Sequence, residues 1–266
     1  MRDFQKPGRS PVYASKAMVS TSHPLSSSAA LDVLRKGGNA VDAALAAVSV
    51  QCVVEPASTS VGGDCFCLYA PVGSKQPIAI NGSGRAPKRL TADWLIANGF
   101  NAIPQNSPHS VTVPTAVDAW VTLNNDFGKK PLGDILEYAI KYASYGYPIG
   151  QRVAFDFANT FDLIQQDKDL SELFLSNGKT LPVGFNHKQP NLAKTLEEIA
   201  KKGRDGFFSG WVADDIIEKL ASLGGFHQKD DFDEATANYV QPVSSEFRGH
   251  KIWQCPPNGQ GVIALL

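Results

Sequence analysis

The stretch LDVLRKGGNAVDAALAAVSVQCVVEPASTSVGGDCF, residues 31–66, decides the fold. It predicts two helices separated by Gly37-Gly38, because glycine readily takes the left-handed conformation that ends a helix. Asn39 is placed to cap the second helix, and Asp42 can accept free backbone N–H groups in its first turn. Glu55-Pro56 ends this helix, since the residue before a proline avoids the helical conformation.

The second helix and the segment after it are strongly apolar. Residues 41–54 are apolar on nearly every side, which predicts a helix buried over most of its surface. A glycine turn leads to residues 64–70, which are apolar on both faces and predict an interior strand. Residues 77–81 predict an antiparallel partner for that strand.

The remainder of the chain predicts helices first and strands near its end. Thr115 and Asp118 form a capping-box pattern, residues 167–189 predict mainly loop, and Arg248-Gly249 predicts a turn between strands. No linker divides the chain, so we expect one domain over residues 1–266 with an N-terminal arm over 1–17. Further helices are predicted over 21–36, 93–98, 115–126, 134–145, 153–164, 192–202 and 211–223, and strands over 239–246 and 250–255.

Composition excludes several classes of partner. The net charge is −1, which gives no electrostatic basis for binding nucleic acid or a membrane surface. No apolar run reaches the roughly 18 residues of a membrane-spanning helix. The first residues are polar and lack the apolar segment of a secretory signal, so we expect a cytoplasmic protein.

Neither a cofactor nor a metal ion is predicted. Gly82-x-Gly84 follows a strand as in a dinucleotide-binding loop, but Pro87 stands where the third glycine is needed. Cys65 and Cys67 lie on one face of a strand without further ligands nearby, which favours two buried thiols over a metal site. The histidines are scattered and form no metal-binding or catalytic pattern.

Arg85 is the most informative single charge. It lies in a glycine-rich loop that leaves an apolar strand, where a guanidinium can bind a substrate carboxylate through two parallel hydrogen bonds. The other interpretation is that Arg85 bonds to carbonyl groups of its own loop. Composition alone does not separate the two. The acidic run at residues 230–234 predicts a solvated turn.

The last residues, 259–266, indicate the start of a helix. They form an apolar run with no capping or terminating residue. We therefore expect the sequence to be the front part of a longer polypeptide.

A set of short motifs is spread along the chain: Gly37-Gly38-Asn39-Ala40-Val41-Asp42-Ala43-Ala44, Glu55-Pro56, Gly62-Gly63-Asp64, Ala86-Pro87, Val113-Pro114, Ala119-Trp120, Arg248-Gly249 and Pro256-Pro257. Together with the regions 193–210 and 239–261, this ordered set resembles the gamma-glutamyltranspeptidase family. The similarity extends from Met18 to Leu266.

The resemblance implies an α+β fold, the four-layer αββα sandwich of the N-terminal-nucleophile hydrolases, of which this chain is the N-terminal portion. Such proteins are precursors that cleave themselves at a threonine, which becomes the first residue of a small subunit and the nucleophile. That threonine would lie beyond Leu266. No catalytic residue is therefore expected within residues 1–266, the partner is the small subunit of the same precursor, and the chain alone should be inactive.

The resemblance also implies a substrate site with one departure from the family pattern. Transpeptidases carry a carboxylate-binding arginine three residues before the Ala-Pro pair, where this sequence has Ser83. Arg85 is displaced by two positions, which keeps it on the same face of an extended chain. Ser83 and Arg85 are thus the candidate substrate-binding residues, for a γ-glutamyl amide or, as in the amidohydrolase and acylase-like branch, a small acidic amide such as oxamate.

A non-catalytic role is the other interpretation. A relative that lacks the nucleophile can survive as a binding or interaction module. The reading frame beyond residue 266 distinguishes the two, since only the enzyme needs a self-cleavage threonine there.

Overall fold

The computed structural model describes residues 10–266, which form two compact units. The first unit runs up to Ser60 and resumes over Gly128–Glu197. The second comprises Val61–Phe127 and Glu198–Leu266. The predicted arm lies partly outside the described residues; its residues 10–17 are exposed and belong to neither helix nor strand.

Helices and strands are mixed along the whole described chain, and a short 3₁₀ helix covers Pro108–Ser110. The helices are α1 (Pro24–Arg35), α2 (Ala40–Val54), α3 (Ala92–Ala97), α4 (Ala116–Phe127), α5 (Leu132–Tyr145), α6 (Gln151–Asn159), α7 (Phe161–Gln166), α8 (Lys168–Phe174), α9 (Pro190–Lys202), α10 (Asp205–Phe208), α11 (Gly210–Ser222), α12 (Lys229–Glu234) and α13 (Gly261–Leu265). The strands are β1 (Cys65–Tyr69), β2 (Ile78–Gly82), β3 (Tyr147–Pro148), β4 (Leu175–Ser176), β5 (Lys179–Thr180), β6 (Asn186–His187), β7 (Asn238–Val240), β8 (Val243–Phe247) and β9 (His250–Gln254).

Helix α2 is the centre of the first unit, where it packs against α1 and α5. The Asn39 side chain accepts from the N–H groups of Val41 and Asp42, and the Asp42 carboxylate accepts the Asn39 N–H at 2.8 Å. The predicted cap of α2 is therefore confirmed. Burial of α2 is confirmed as well, since most of its residues are inaccessible to solvent.

The prediction of a loop over residues 167–189 is wrong in part. Asp167 caps α8 by accepting the Leu170 N–H at 3.0 Å, and β4 pairs with β5. Asn177-Gly178 makes the turn of that hairpin with φ values of 52° and 71°. Asn-Gly is the commonest sequence of such a two-residue turn, because both positions need positive φ. The turn signal was present in the sequence, but the flanking strands are too short to form a pattern.

An antiparallel sheet in the order β1-β2-β7 is the main sheet of the second unit. The β1–β2 pairing matches the prediction, with Cys67 opposite Ile80. The predicted strand over 239–246 is wrong at Pro242, which separates β7 from β8. A proline cannot donate to a strand ladder.

Strand β1 is not the interior strand that its apolar sequence predicts. Phe66 and Leu68 are 41% and 38% exposed, whereas the alternate residues of β1 are half-buried. One face of β1 lies towards α4, where the rings of Tyr69 and Phe127 are 5.0 Å apart. The other face is partly covered, since the Cys255 thiol donates to the Cys67 carbonyl at 3.7 Å. Among the described residues, β2 pairs with one edge of β1 and no strand pairs with the other. No helix among residues 10–266 is long and apolar enough to cross a membrane.

Candidate functional site

A cavity of about 830 Å³ in the second unit contains both sequence-predicted site residues. Ser83 and Arg85 lie on its wall in the loop after β2. The segment between α12 and β7 and the residues after β9 complete it. The remaining lining residues are Asn81, Gly84, Ala86, Lys88, Val113, Thr115, Asp231, Glu234, Ala235, Thr236, Asn238, Val240, Pro257 and Asn258.

The loop after β2 is shaped by close packing against the chain before α4. The Val113 N–H donates to the carbonyl of Arg85 at 2.9 Å, and a Cβ on Gly84 would lie 1.6 Å from the Val113 carbonyl oxygen. Only glycine fits such a close approach of two backbones. The Gly82-x-Gly84 pattern therefore serves packing, which explains it without a bound nucleotide.

The Arg85 side chain is exposed on the cavity wall. Within residues 10–266 its guanidinium has no ion-pair or hydrogen-bond partner, so the structure does not show it bonded to its own loop. Its five N–H donors are thus available to a ligand. A carboxylate matches their planar geometry best.

Ser83 is held by two asparagine side chains. The Asn258 amide donates to the Ser83 hydroxyl, and the Asn81 amide donates to the Asn258 oxygen at 3.0 Å. The Asn81 oxygen accepts the Ser83 N–H at 2.9 Å. The two asparagines escaped the sequence analysis, since Asn258 follows β9 and lies 175 residues from Ser83 in the chain.

The other charged residues of the cavity wall are already paired. Lys88 forms an ion pair with Glu234, in which its ammonium donates a hydrogen bond to the carboxylate. This hydrogen bond raises the pKa of Lys88. Asp231 accepts the Lys88 N–H at 3.0 Å and the Gln228 N–H at 2.9 Å. The prediction of a solvated turn at residues 230–234 is therefore wrong in part: these residues belong to α12 and Asp231 is buried, whereas Asp230, Asp233 and Glu234 are exposed. Arg85 remains as the uncompensated positive charge of the described wall.

The cysteines near the sheet are weakly acidic thiols. Burial raises the pKa of Cys65 to about 12 and also raises those of Cys67 and Cys255. Such thiols stay protonated at neutral pH and are poor nucleophiles. Within the described part of the chain, no three His, Cys, Asp or Glu side chains are grouped to hold a metal ion.

Two curated relatives match nearly all of the chain. The glutathione hydrolase-like YwrD proenzyme of Bacillus subtilis (strain 168) is 37% identical over 256 residues, which are 96% of this chain and 48% of that protein. The oxamate amidohydrolase proenzyme of Klebsiella pneumoniae is 31% identical over 249 residues, 91% of this chain and 47% of that protein. The chain thus spans about half the length of these curated relatives.

Solved structures show the same relationship. The gamma-glutamyltranspeptidase of Helicobacter pylori superposes with a TM-score of 0.89 at 29% identity, covering 94% of this chain and 73% of that chain. The cephalosporin acylase from Bacillus halodurans gives a TM-score of 0.87 at 34% identity, covering 97% and 51%. The chain therefore has a fold shared with N-terminal-nucleophile hydrolases. The family model for gamma-glutamyltranspeptidase matches residues 26–266, so the chain belongs to this family, as its motifs predict.

Proposed function

We propose that this chain is the large-subunit part of a self-processing enzyme that cleaves or transfers the acyl group of an amide. Membership of the gamma-glutamyltranspeptidase family supports this, and both curated relatives are named proenzymes. The single observation that carries the proposal is the unpaired Arg85 guanidinium on the wall of a large cavity.

Arg85 is the proposed anchor of the substrate. It binds a carboxylate of the acyl group through two parallel N–H···O bonds, which fixes both the position and the plane of that group. The Ser83 hydroxyl, oriented by Asn258, lies on the same wall and offers a neutral polar contact. The substrate class is therefore a small amide with an acidic acyl group, such as a γ-glutamyl amide or oxamate.

The nucleophile is proposed to come from the small subunit of the same precursor. Its N-terminal threonine, beyond Leu266, attacks the amide carbonyl while the free amine takes up the hydroxyl proton. The C–N bond then breaks to leave an acyl-enzyme, and the protonated amine of the threonine returns the proton to the departing amine or ammonia. The acyl-enzyme then passes its acyl group to water or an amine, with an oxyanion hole in the small subunit. Residues 1–266 supply substrate binding, and without the small subunit they are inactive.

The same proposal extends to the fold and the location. The small subunit adds strands and completes a four-layer αββα sandwich with this chain as one domain. The exposed Phe66 and Leu68 on the outer strand β1 are suited to such an addition. The complete enzyme works in the cytoplasm.

Expression of the complete reading frame tests the proposal. Mass spectrometry of the purified protein should find two chains, the smaller beginning with threonine. γ-Glutamyl, oxamate and other acyl amides are then screened for release of the amine or ammonia. A reading frame that stops at residue 266, with a chain that melts cooperatively as a monomer, would instead establish a non-catalytic binding module.

A further inference from the structure

Arg204, between α9 and α10 in the second unit, binds an unusual number of acceptors. Its Nε donates to the Asp118 carboxylate at 2.9 Å. One terminal nitrogen donates to the carbonyls of Phe232 and Asp233 at 3.2 Å and of Ala235 at 2.8 Å. A planar guanidinium suits this role, because it presents several donors in a fixed geometry.

Asp118 binds a further backbone group of the same segment, the N–H of Ala237. Its second carboxylate oxygen accepts the Ala237 N–H at 2.7 Å. The sequence predicts Asp118 as the capping-box acid of α4, but both of its oxygens are bound by Arg204 and Ala237 instead. The Arg204 guanidinium also lies over the Phe208 ring at 4.4 Å, which restricts its orientation.

The backbone groups that these two side chains bind lie at the end of α12 and in the connection that follows it. Residues 235–237 connect the end of α12 to the start of β7 and belong to neither. The last carbonyls of a helix and the groups of such a connection need partners from elsewhere. Arg204 and Asp118 together provide partners for four such backbone groups: three carbonyls bound by Arg204 and one N–H bound by Asp118. The two side chains come from distant parts of the sequence but contact each other.

This connection is also a wall of the cavity. Glu234, Ala235, Thr236 and Asn238 line the cavity together with Ser83 and Arg85, whereas Arg204 and Asp118 do not line it. We propose that Arg204 and Asp118 are positioning residues that fix this wall and thereby set the fit of the acyl group against Arg85. The inference rests on the proposed function in taking this cavity as the substrate site.

The expected signature is a change in substrate binding and not in chemistry. Arg204→Lys keeps the charge and one bond but cannot serve four acceptors at once. In the complete processed enzyme, we expect it to raise KM on the order of tenfold or more, because a wall that is no longer fixed weakens the binding of ground state and transition state alike. kcat and self-cleavage should change less than about twofold, since neither residue contacts the reacting atoms.

Hydrogen exchange on the same enzyme tests the wall directly. In Arg204→Lys, the amides of residues 235–238 should exchange faster, while those of α2 stay as in the wild type. Asp118→Asn, which weakens the bond to Ala237, should give the same local pattern and serves if the first variant does not fold. Lys202→Met is the matched control, since the exposed Lys202 pairs with Glu198 one turn away in α9 and does not line the cavity.

Each outcome decides a separate point. Unchanged exchange over 235–238 in both variants overturns the positioning role. Faster exchange with an unchanged KM shows that Arg204 stabilises the connection without shaping the substrate site, which overturns the inference. If the wild-type enzyme turns over no amide, the proposed function fails, and the exchange result alone decides whether Arg204 holds this wall.

Discussion

The Asp42 carboxylate accepts the backbone N–H of Lys129 with both of its oxygens, at 3.0 and 3.2 Å, across 87 positions of the sequence. It also accepts the N–H groups of Lys130 at 3.3 Å and of Asn39 at 2.8 Å. The side chain is fully buried. One carboxylate thus caps α2 and fixes the chain that enters α5, which explains a buried acid in a largely apolar helix.

Replacing Asp42 should strongly destabilise the protein. In Asp42→Asn, one oxygen becomes an NH₂ group that faces backbone N–H donors, so buried donors lose their partner. Each unsatisfied buried group costs about 1–3 kcal/mol, and we expect a loss of about 3–5 kcal/mol in the free energy of unfolding. Urea denaturation followed by circular dichroism measures it.

The control for this variant is Glu137→Gln. Glu137 forms an exposed pair with Lys141 one turn away in α5, and such pairs contribute about 0.5 kcal/mol. A loss below about 1 kcal/mol for Asp42→Asn, similar to that of the control, would refute the role assigned to this carboxylate.

Asp42 also shows how far the sequence leads. Its capping of α2 was predictable, because Asn39 and Asp42 lie within one helical turn. Its bonds to Lys129 and Lys130 were not, because no local pattern links residues so distant in the chain. Strand β1 shows the same contrast. Its pairing with β2, which is close in sequence, was predicted correctly, whereas its burial was not, because burial depends on what covers the sheet.

Some residues of the candidate site could likewise be predicted from the sequence and others could not. Ser83 and Arg85 could be found from one short loop and its resemblance to the family pattern, and both do line the cavity. Asn258 and Asp231 could not, since they reach this loop from 175 and 143 residues away. Asp231 is the one buried acid of the run 230–234, and its sequence neighbours do not show this, because its partner, the Lys88 N–H, belongs to another part of the chain.

Arg85→Ala should weaken the binding of acidic acyl amides in the complete enzyme. The variant loses charge-assisted hydrogen bonds that contribute about 1.5–3 kcal/mol, so kcat/KM should fall about 10- to 100-fold. Self-cleavage should stay intact, since the guanidinium contacts no other described group. Arg89→Ala is the control, because Arg89 is exposed on the same loop but does not line the cavity. Equal kinetics for the two variants would exclude Arg85 from the substrate site.

Exchanging the two site residues should move the carboxylate-binding position. The double variant Ser83→Arg, Arg85→Ser keeps the net charge and places the guanidinium where the family pattern has its arginine. Both side chains face the same cavity, so the position of the guanidinium changes by two residues of an extended chain, about 7 Å. We expect the ratio of kcat/KM for γ-glutamyl amides to that for oxamate to rise. An unchanged ratio would show that neither position selects the acyl group.

The buried His187 should make stability depend on pH in the acid range. It lies among aromatic rings, 5.7 Å from Tyr147 and 5.5 Å from Phe174 between ring centres, and it is 3% exposed. Burial lowers its pKa from 6.5 to about 4. Burial also lowers the pKa values of His23 and His227, with the same sign of effect.

The direction follows from where the proton binds. Above pH 6.5 the imidazole is neutral in both states and the effect is absent. Between pH 6.5 and about 4 the unfolded chain binds a proton at this histidine that the folded chain does not. As the pH is lowered through this range, the free energy of unfolding therefore falls by up to about 1.4 kcal/mol per pH unit. Urea denaturation at pH 7.5, 6 and 5 measures how the free energy of unfolding depends on pH.

The variant His187→Phe keeps a ring among Tyr147 and Phe174 and should flatten the slope of this pH dependence by the stated amount. The control is His250→Phe, at an exposed position, which should leave the slope unchanged. The same slope in His187→Phe as in the wild type would mean that His187 takes up its proton in the folded protein as readily as in the unfolded chain.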